Sequence, residues 1–146
     1  QFIKAEAAFK KGDKTLAYSA FRLGVSAALD FVGVSAANRD AYLASTAIPK
    51  SGNDLTLSDI MLQKYIALYG QGALETWVDM RRYNYSNEIY KGISFPTSLY
   101  PDNSGKFVQR VRPRFNSEYV WNLATLRGIG ADLPDYHTKP LWFVQP

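Results

Sequence analysis

Apolar residues recur with helical periodicity through roughly the first 85 residues. The clearest helix begins at Thr56, because Thr56 and Asp59 have the spacing of a capping box and apolar positions then follow every three or four residues. Gly70 ends this helix, since glycine readily adopts the left-handed conformation that closes helices. A further helix is predicted from Ala73 to about Tyr83. The expected core positions of these two helices are Leu62, Ile66, Leu74, Trp77 and Val78.

The first 32 residues predict a close pair of helices. A helical pattern that starts at Gln1 ends at Gly12, and Asp13 is placed to cap a second helix from about Lys14 to Val32. The inner face of the second helix is expected to carry Ala17, Ala20, Phe21, Gly24, Ala28 and Phe31. An alanine in the first helix, the Gly12-Asp13 turn and the positions of Ala17, Phe21 and Gly24 together resemble a tetratricopeptide repeat. A lone repeat cannot bury its apolar face, and the chain lacks an initial methionine, so we expect that preceding sequence is missing.

A short helix is expected from Asn38 to Thr46. Beyond Tyr85 the helical periodicity fades, and glycine and proline recur. The predicted fold is therefore mainly α, with tetratricopeptide-like helix pairs in residues 1–85 and a long, irregular, loop-rich segment in residues 86–146. Arg110, Arg112 and Arg114 alternate along an extended stretch. We interpret this stretch as a solvated edge strand, because Pro113 excludes a central one; contact with phosphate or an acidic glycan is the alternative.

Composition and single residues give little support to catalysis. The 17 basic and 13 acidic residues leave a net charge of +4, spread along the chain, which neither requires nor excludes nucleic acid. Without cysteine, and with His137 as the one histidine, a typical zinc site cannot form. His137 is expected on the surface beside Asp135, and no Gly-x-Ser-x-Gly turn supports a serine nucleophile. We predict no enzyme, no catalytic residue, no metal and no cofactor.

Two stretches resemble a known family. The sequence QKYIALYGQGALETWVDMRRYNY is similar to the late helices of SusD/RagB-type nutrient-binding outer-membrane lipoproteins. The carboxy-terminal motifs of that family have counterparts here in Tyr100-Pro101, Ser117-Glu118-Tyr119, Asn122 and Thr138-Lys139-Pro140-Leu141-Trp142. An insertion before Ser117 and the presence of Pro140 depart from the family pattern. The family also contains tetratricopeptide-like helix pairs, as the first 32 residues predict.

This resemblance implies a function and a place in the cell. Residues 1–146 are expected to be the carboxy-terminal part of a single SusD/RagB-like domain, without the signal and lipid anchor of the longer protein. The whole protein would capture an oligosaccharide, or else a peptide, at the surface of the outer membrane. It would pass the ligand to a SusC-like, TonB-dependent transporter, with no nucleic acid involved. The alternative is an intracellular helical-repeat module that binds a peptide or RNA.

Aromatic rings are the candidate ligand contacts, because sugars present apolar C–H faces that rings can cover. The irregular tail is rich in them, with Tyr100, Tyr119, Trp121, Tyr136 and Trp142. We select Tyr100, Tyr119 and Trp121 as candidate ligand-binding residues, although for each ring we favour packing of a loop onto the helices. A second cluster consists of Trp77, Asp79, Arg81 and Arg82. It could form a platform for a polar ligand. We favour the alternative, in which Trp77 is buried and the charged residues form ion pairs within their own helix.

Overall fold

The computed structural model describes residues 1–144, and its regular structure is helical. The α-helices are α1 Phe2–Lys11, α2 Lys14–Phe31, α3 Ala36–Ala44, α4 Leu57–Leu68, α5 Ala73–Arg82 and α6 Leu123–Gly128. Short helical turns lie at Pro101–Asn103, Phe115–Tyr119, Tyr136–Thr138 and Trp142–Val144. No β-strand occurs within residues 1–144. The mainly α fold with an irregular carboxy-terminal segment is confirmed, whereas α6 was not predicted.

The chain folds as two compact units. The helical unit comprises Gln1–Met80 and Ser86–Ile93, and the loop unit comprises Arg81–Tyr85 together with the described chain from Ser94 onward. In the helical unit, α2 packs against α1, α3 and α4, and α1 also packs against α4. The Oγ of Ser58 donates to the carbonyl of Ile89 at 2.7 Å, which ties the segment Ser86–Ile93 to α4.

The predicted pair of α1 and α2 is confirmed. Gly12 has φ 85° and closes α1, and the carboxylate of Asp13 accepts a hydrogen bond from the amide of Leu16 at 3.0 Å. A Cβ on Gly24 would lie 3.1 Å from the ring of Phe2, so the glycine allows the ring of α1 to approach α2 closely. This close approach is what the small residues of the tetratricopeptide-like pattern predicted.

Helix α4 begins as predicted but buries a different face. The capping box is complete, since Thr56 and Asp59 each accept from the other's backbone amide. Ile60 and Met61 are fully buried, whereas Ile66 is 59% exposed. The expected burial of Ile66 is therefore wrong, because apolar residues occupy several sides of α4 and the periodicity did not identify the side that contacts α1 and α2.

The core expected of the other helices is also partly wrong. Leu74 in α5 is 73% exposed, while Trp77 and Val78 are only half-buried. At the end of α2, Phe31 is exposed and Val25 is buried instead. The buried apolar positions of the helical unit are Ala5, Ala8, Ala17, Ala20, Phe21, Val25, Leu43, Ile48, Leu55, Ile60, Met61 and Tyr90. Small residues dominate the interface of α1 and α2, which permits their close packing.

No helix within residues 1–144 has both the length and the apolar character needed to cross a membrane.

Candidate ligand-binding site

Arginine side chains organise the loop unit by donating to backbone carbonyls. Arg81 Nη1 donates to the carbonyl of Gln109 at 2.9 Å. Arg110 donates to the carbonyl of Lys139 at 2.9 Å, and also to that of Pro140. Two further carbonyls, those of Leu133 and Pro134, accept from Arg112. A guanidinium presents several donors in a fixed plane, so each arginine can join loop segments that have no strand partner.

These contacts correct the interpretation of the segment from Lys106 to Arg114. It forms no edge strand, and the guanidinium groups of Arg110 and Arg112 donate to backbone carbonyls of the loop unit. The regular alternation therefore does not produce a row of three free cations. Of these three arginines, only Arg114 has a side chain that forms no hydrogen bond and no ion pair within the described part of the chain.

His137 is buried, contrary to the expectation of a surface position. Its exposed fraction is 8%, and its Nε2 lies 2.7 Å from Asn103 Oδ1. Its Nδ1 lies 3.2 Å from Arg112 Nη1. Because the guanidinium can only donate, Nδ1 acts as the acceptor and Nε2–H donates to the amide oxygen. His137 is thus a structural connector, and sequence reasoning missed it because Asn103 and Arg112 lie far from it in the sequence.

An aromatic cluster of Tyr85, Phe95 and Phe107 forms the apolar part of the loop unit. The ring centroids of Tyr85 and Phe107 are 4.7 Å apart, and Phe95 meets both rings at 5.6 Å. The hydroxyl of Tyr85 donates to the carbonyl of Val108. The ring of Phe107 is therefore held in place by its neighbours.

The three candidate ligand residues lie in different surroundings. Trp121 is 84% exposed and Tyr100 is 68% exposed, so both rings are available to a ligand. Tyr119 is half-buried: its ring stacks on Phe115 with centroids 5.8 Å apart, and its hydroxyl donates to the carbonyl of Ala131 at 2.6 Å. No ring contact within residues 1–144 joins these three side chains to one another.

The remaining aromatic residues of the tail also divide into packed and free rings. The ring of Tyr136 is covered by the guanidinium of Arg110 at 5.0 Å, whereas Trp142 is exposed. Trp142 contacts the ring of Phe143 edge-on, with centroids 5.7 Å apart. Packing of a loop therefore accounts for Tyr119 and Tyr136 but not for Trp121 or Trp142.

The cluster around Trp77 agrees only in part with the structural interpretation, because Trp77 is half-buried and Asp79 pairs with a lysine of α4. Asp79 is buried and forms a 2.6 Å salt bridge with Lys64. Arg81 is also buried, and its guanidinium lies over the ring of Phe143 at 5.3 Å. Charges that are buried and already paired are not available to a ligand, and removing one partner would leave the other without solvation. Within residues 1–144, no group of three acidic, cysteine or histidine side chains is placed to hold a metal ion.

The sequence of the chain matches a protein-family model. A SusD-like family model, whose description is starch-binding associating with outer membrane, matches residues 1–107. The match includes α1 to α5 and Tyr100, while Tyr119 and Trp121 follow it in the chain. Comparisons with curated proteins and with solved structures gave no significant match. Because the family model covers well over half of the chain, the chain belongs to the SusD-like family of starch-binding proteins that associate with the outer membrane.

Proposed function

We propose that the chain is part of a cell-surface lipoprotein that captures an oligosaccharide and passes it to a TonB-dependent outer-membrane transporter. The observation that carries this proposal is membership of the SusD-like family through residues 1–107. The family is one of binding proteins, so capture rather than chemical conversion is the expected activity.

Trp121 is the ring best suited to contact a sugar. Its side chain is almost fully accessible, and a flat indole face can cover the apolar C–H face of a sugar ring. Tyr100 offers a second accessible ring and a hydroxyl that can donate or accept a hydrogen bond. For Tyr119 the proposal is a supporting role, because Phe115 occupies one face of its ring and its hydroxyl group donates a hydrogen bond to the carbonyl of Ala131.

Calorimetry of the intact protein tests the capture step. We expect binding of at least one oligosaccharide from a panel of neutral and acidic glycans. We expect Trp121→Ala to weaken this binding about fivefold or more, because a stacked ring contributes roughly 1 kcal/mol. Ile129→Ala is the control, since Ile129 is an exposed apolar residue of the loop unit that carries no aromatic ring. Binding of peptides but of no glycan would replace the proposed ligand with a peptide.

Fractionation of the native cells tests the location and the partner. We expect the protein in the outer membrane, and we expect a TonB-dependent transporter to co-purify with it. Recovery from the cytosol without a transporter would contradict the proposal and would favour the alternative of an intracellular helical-repeat module.

A further inference from the structure

The loop unit contains a cavity of about 460 Å³ that is separate from the exposed rings of Tyr100 and Trp121. Its lining residues are Asn84, Gly105, Lys106, Phe107, Gln109, Asp135, Thr138, Lys139 and Pro140. A volume of this size lies in the range of sites that enclose a small ligand, about 300–1,000 Å³. The cavity therefore has room for a sugar residue.

Gln109, one of the lining residues, has a buried side-chain oxygen that has no partner in the described part of the chain. The residue is 5% exposed, its amide N–H donates to the carbonyl of His137 at 2.8 Å, and its own carbonyl accepts from Arg81. Its side-chain Oε1 accepts no hydrogen bond in the described part of the chain. Buried amide oxygens almost always have a partner. Because the terminal torsion of glutamine is soft, this amide can turn toward a hydroxyl group that enters the cavity.

The charged side chains of the lining indicate the second property of the ligand. Lys106 and Lys139 both line the cavity, and within residues 1–144 neither ammonium group has an ion pair or a hydrogen bond. Asp135 is the single acidic residue of the lining, so the cavity carries one excess positive charge. This balance suits a ligand with one negative charge, because the carboxylate of Asp135 disfavours a dianion and can instead accept from hydroxyl groups.

Hydrogen bonds hold the backbone that forms the walls of the cavity. The amides of Gln109 and Arg110 both donate to the carbonyl of His137, at 2.8 and 3.1 Å. Arg110 also holds the carbonyl of Lys139, and Thr138 Oγ1 donates to the carbonyl of Asp135. The ring of Phe107, held by the aromatic cluster, adds an apolar wall that a sugar C–H face can contact. A fixed site loses less conformational entropy when it binds.

We propose that this cavity binds a carboxylate-bearing sugar, one uronic acid residue of the captured glycan. The inference rests on the proposed function as a glycan-binding protein and specifies the class of glycan. The carboxylate pairs with the ammonium groups of Lys106 and Lys139. The hydroxyl groups of the sugar donate to Gln109 Oε1 and to the carboxylate of Asp135.

Calorimetry of the intact protein with trigalacturonate and with its methyl ester tests the assignment. The two probes share every hydroxyl group and differ at the carboxyl groups, which in the ester are uncharged and each carry a methyl group. We expect the methyl ester to bind about tenfold or more weakly, since charge-assisted hydrogen bonds are lost. In the double variant Lys106→Gln/Lys139→Gln this difference is expected to disappear, because the cations that recognise the carboxylate are gone.

Two further variants keep the test decisive. Lys91→Gln removes an exposed lysine of the helical unit and is expected to preserve the full difference between the probes. Gln109→Glu adds a negative charge to the lining. We expect this variant to weaken the binding of trigalacturonate more than the binding of its methyl ester. Equal affinity for the two probes, or a difference that survives in the double lysine variant, would overturn the proposal.

The outcome also separates this inference from the proposed function. Binding of neutral starch oligosaccharides with no binding of trigalacturonate would reject the uronic acid site and leave glycan capture intact. Absence of binding to every glycan would reject glycan capture and the uronic acid site together.

Discussion

Lys64 of α4 and Asp79 of α5 form a 2.6 Å salt bridge with both side chains largely buried. Removing one partner leaves the other charge in an environment that solvates it poorly, which typically costs about 3 kcal/mol or more. We therefore expect Asp79→Ala to lower the free energy of unfolding of the chain by about that amount. Urea unfolding followed by circular dichroism measures the change.

The matched control is Glu75→Ala, which removes an exposed carboxylate from the same helix. We expect a loss of no more than about 0.5 kcal/mol, because a surface charge near a helix end contributes little. The double variant Lys64→Met/Asp79→Leu is expected to be more stable than Asp79→Ala, since it leaves no unpaired charge. A loss under about 1 kcal/mol for Asp79→Ala would show that solvent reaches the carboxylate.

Gly24 and Phe2 provide a second test, because the ring of Phe2 occupies the space beside the glycine. Gly24→Val introduces methyl groups where a Cβ alone would already be 3.1 Å from the ring, so we expect a loss of about 1–3 kcal/mol. Gly128→Val in α6 is the control, since a Cβ there has no neighbour within 4 Å. Thermal unfolding of both variants distinguishes crowding from the general effect of valine in a helix. Equal losses at the two positions would contradict the close packing of α1 on α2.

Local sequence signals predicted the helix boundaries well. The capping box of Thr56 and Asp59 and the turn at Gly12 act through neighbouring residues, so their chemistry is visible in the sequence. The buried face of α4 was not predictable in the same way. Ile66 and Ile60 are equally apolar, and only the packing of α1 and α2 against α4 determines that Ile60 is buried.

The loop unit was the least predictable part for the same physical reason. Its buried polar residues depend on partners distant in sequence, as Asn103 and Arg112 are from His137. Periodicity carries no information about such pairs, because they involve no repeating element. Packing of a loop onto the helices was the favoured expectation for the rings of Trp121 and Tyr100, but both are exposed. The cavity beside Gln109 had no sequence signal.

His137→Leu tests the buried network of the loop unit. The change leaves Asn103 Oδ1 and an N–H of Arg112 without the partners that they have in the structure, which costs about 1–3 kcal/mol. We expect faster hydrogen exchange at the amides of Gln109 and Arg110, because both donate to the carbonyl of His137. His137→Gln retains a donor and an acceptor and is expected to show a smaller increase. Unchanged exchange in His137→Leu would indicate that the imidazole contacts do not stabilise these loops.

Binding to nucleic acid provides the last test, because the arginine-rich segment allowed that interpretation from sequence. Arg110 and Arg112 donate to backbone carbonyls of the loop unit, so Lys106 and Arg114 are the cations of this segment that remain available to phosphate. Two phosphate contacts give a slope of log affinity against log salt of about −1.5 for a single strand. We therefore expect weak, sequence-independent binding.

Fluorescence anisotropy with a labelled RNA, measured between about 50 and 200 mM salt, determines both the affinity and the slope. We expect dissociation constants of tens of micromolar or weaker, in the range of non-specific binding. Lys106→Gln/Arg114→Gln is expected to remove most of the residual affinity, because these are the free cations of the segment. Lys4→Gln, on the exposed surface of α1, is the control and is expected to change little. Micromolar or tighter affinity with a slope near −4 would require about six phosphate contacts. Such a slope would show that cations outside this segment bind RNA, and it would favour the helical-repeat alternative over capture of a glycan.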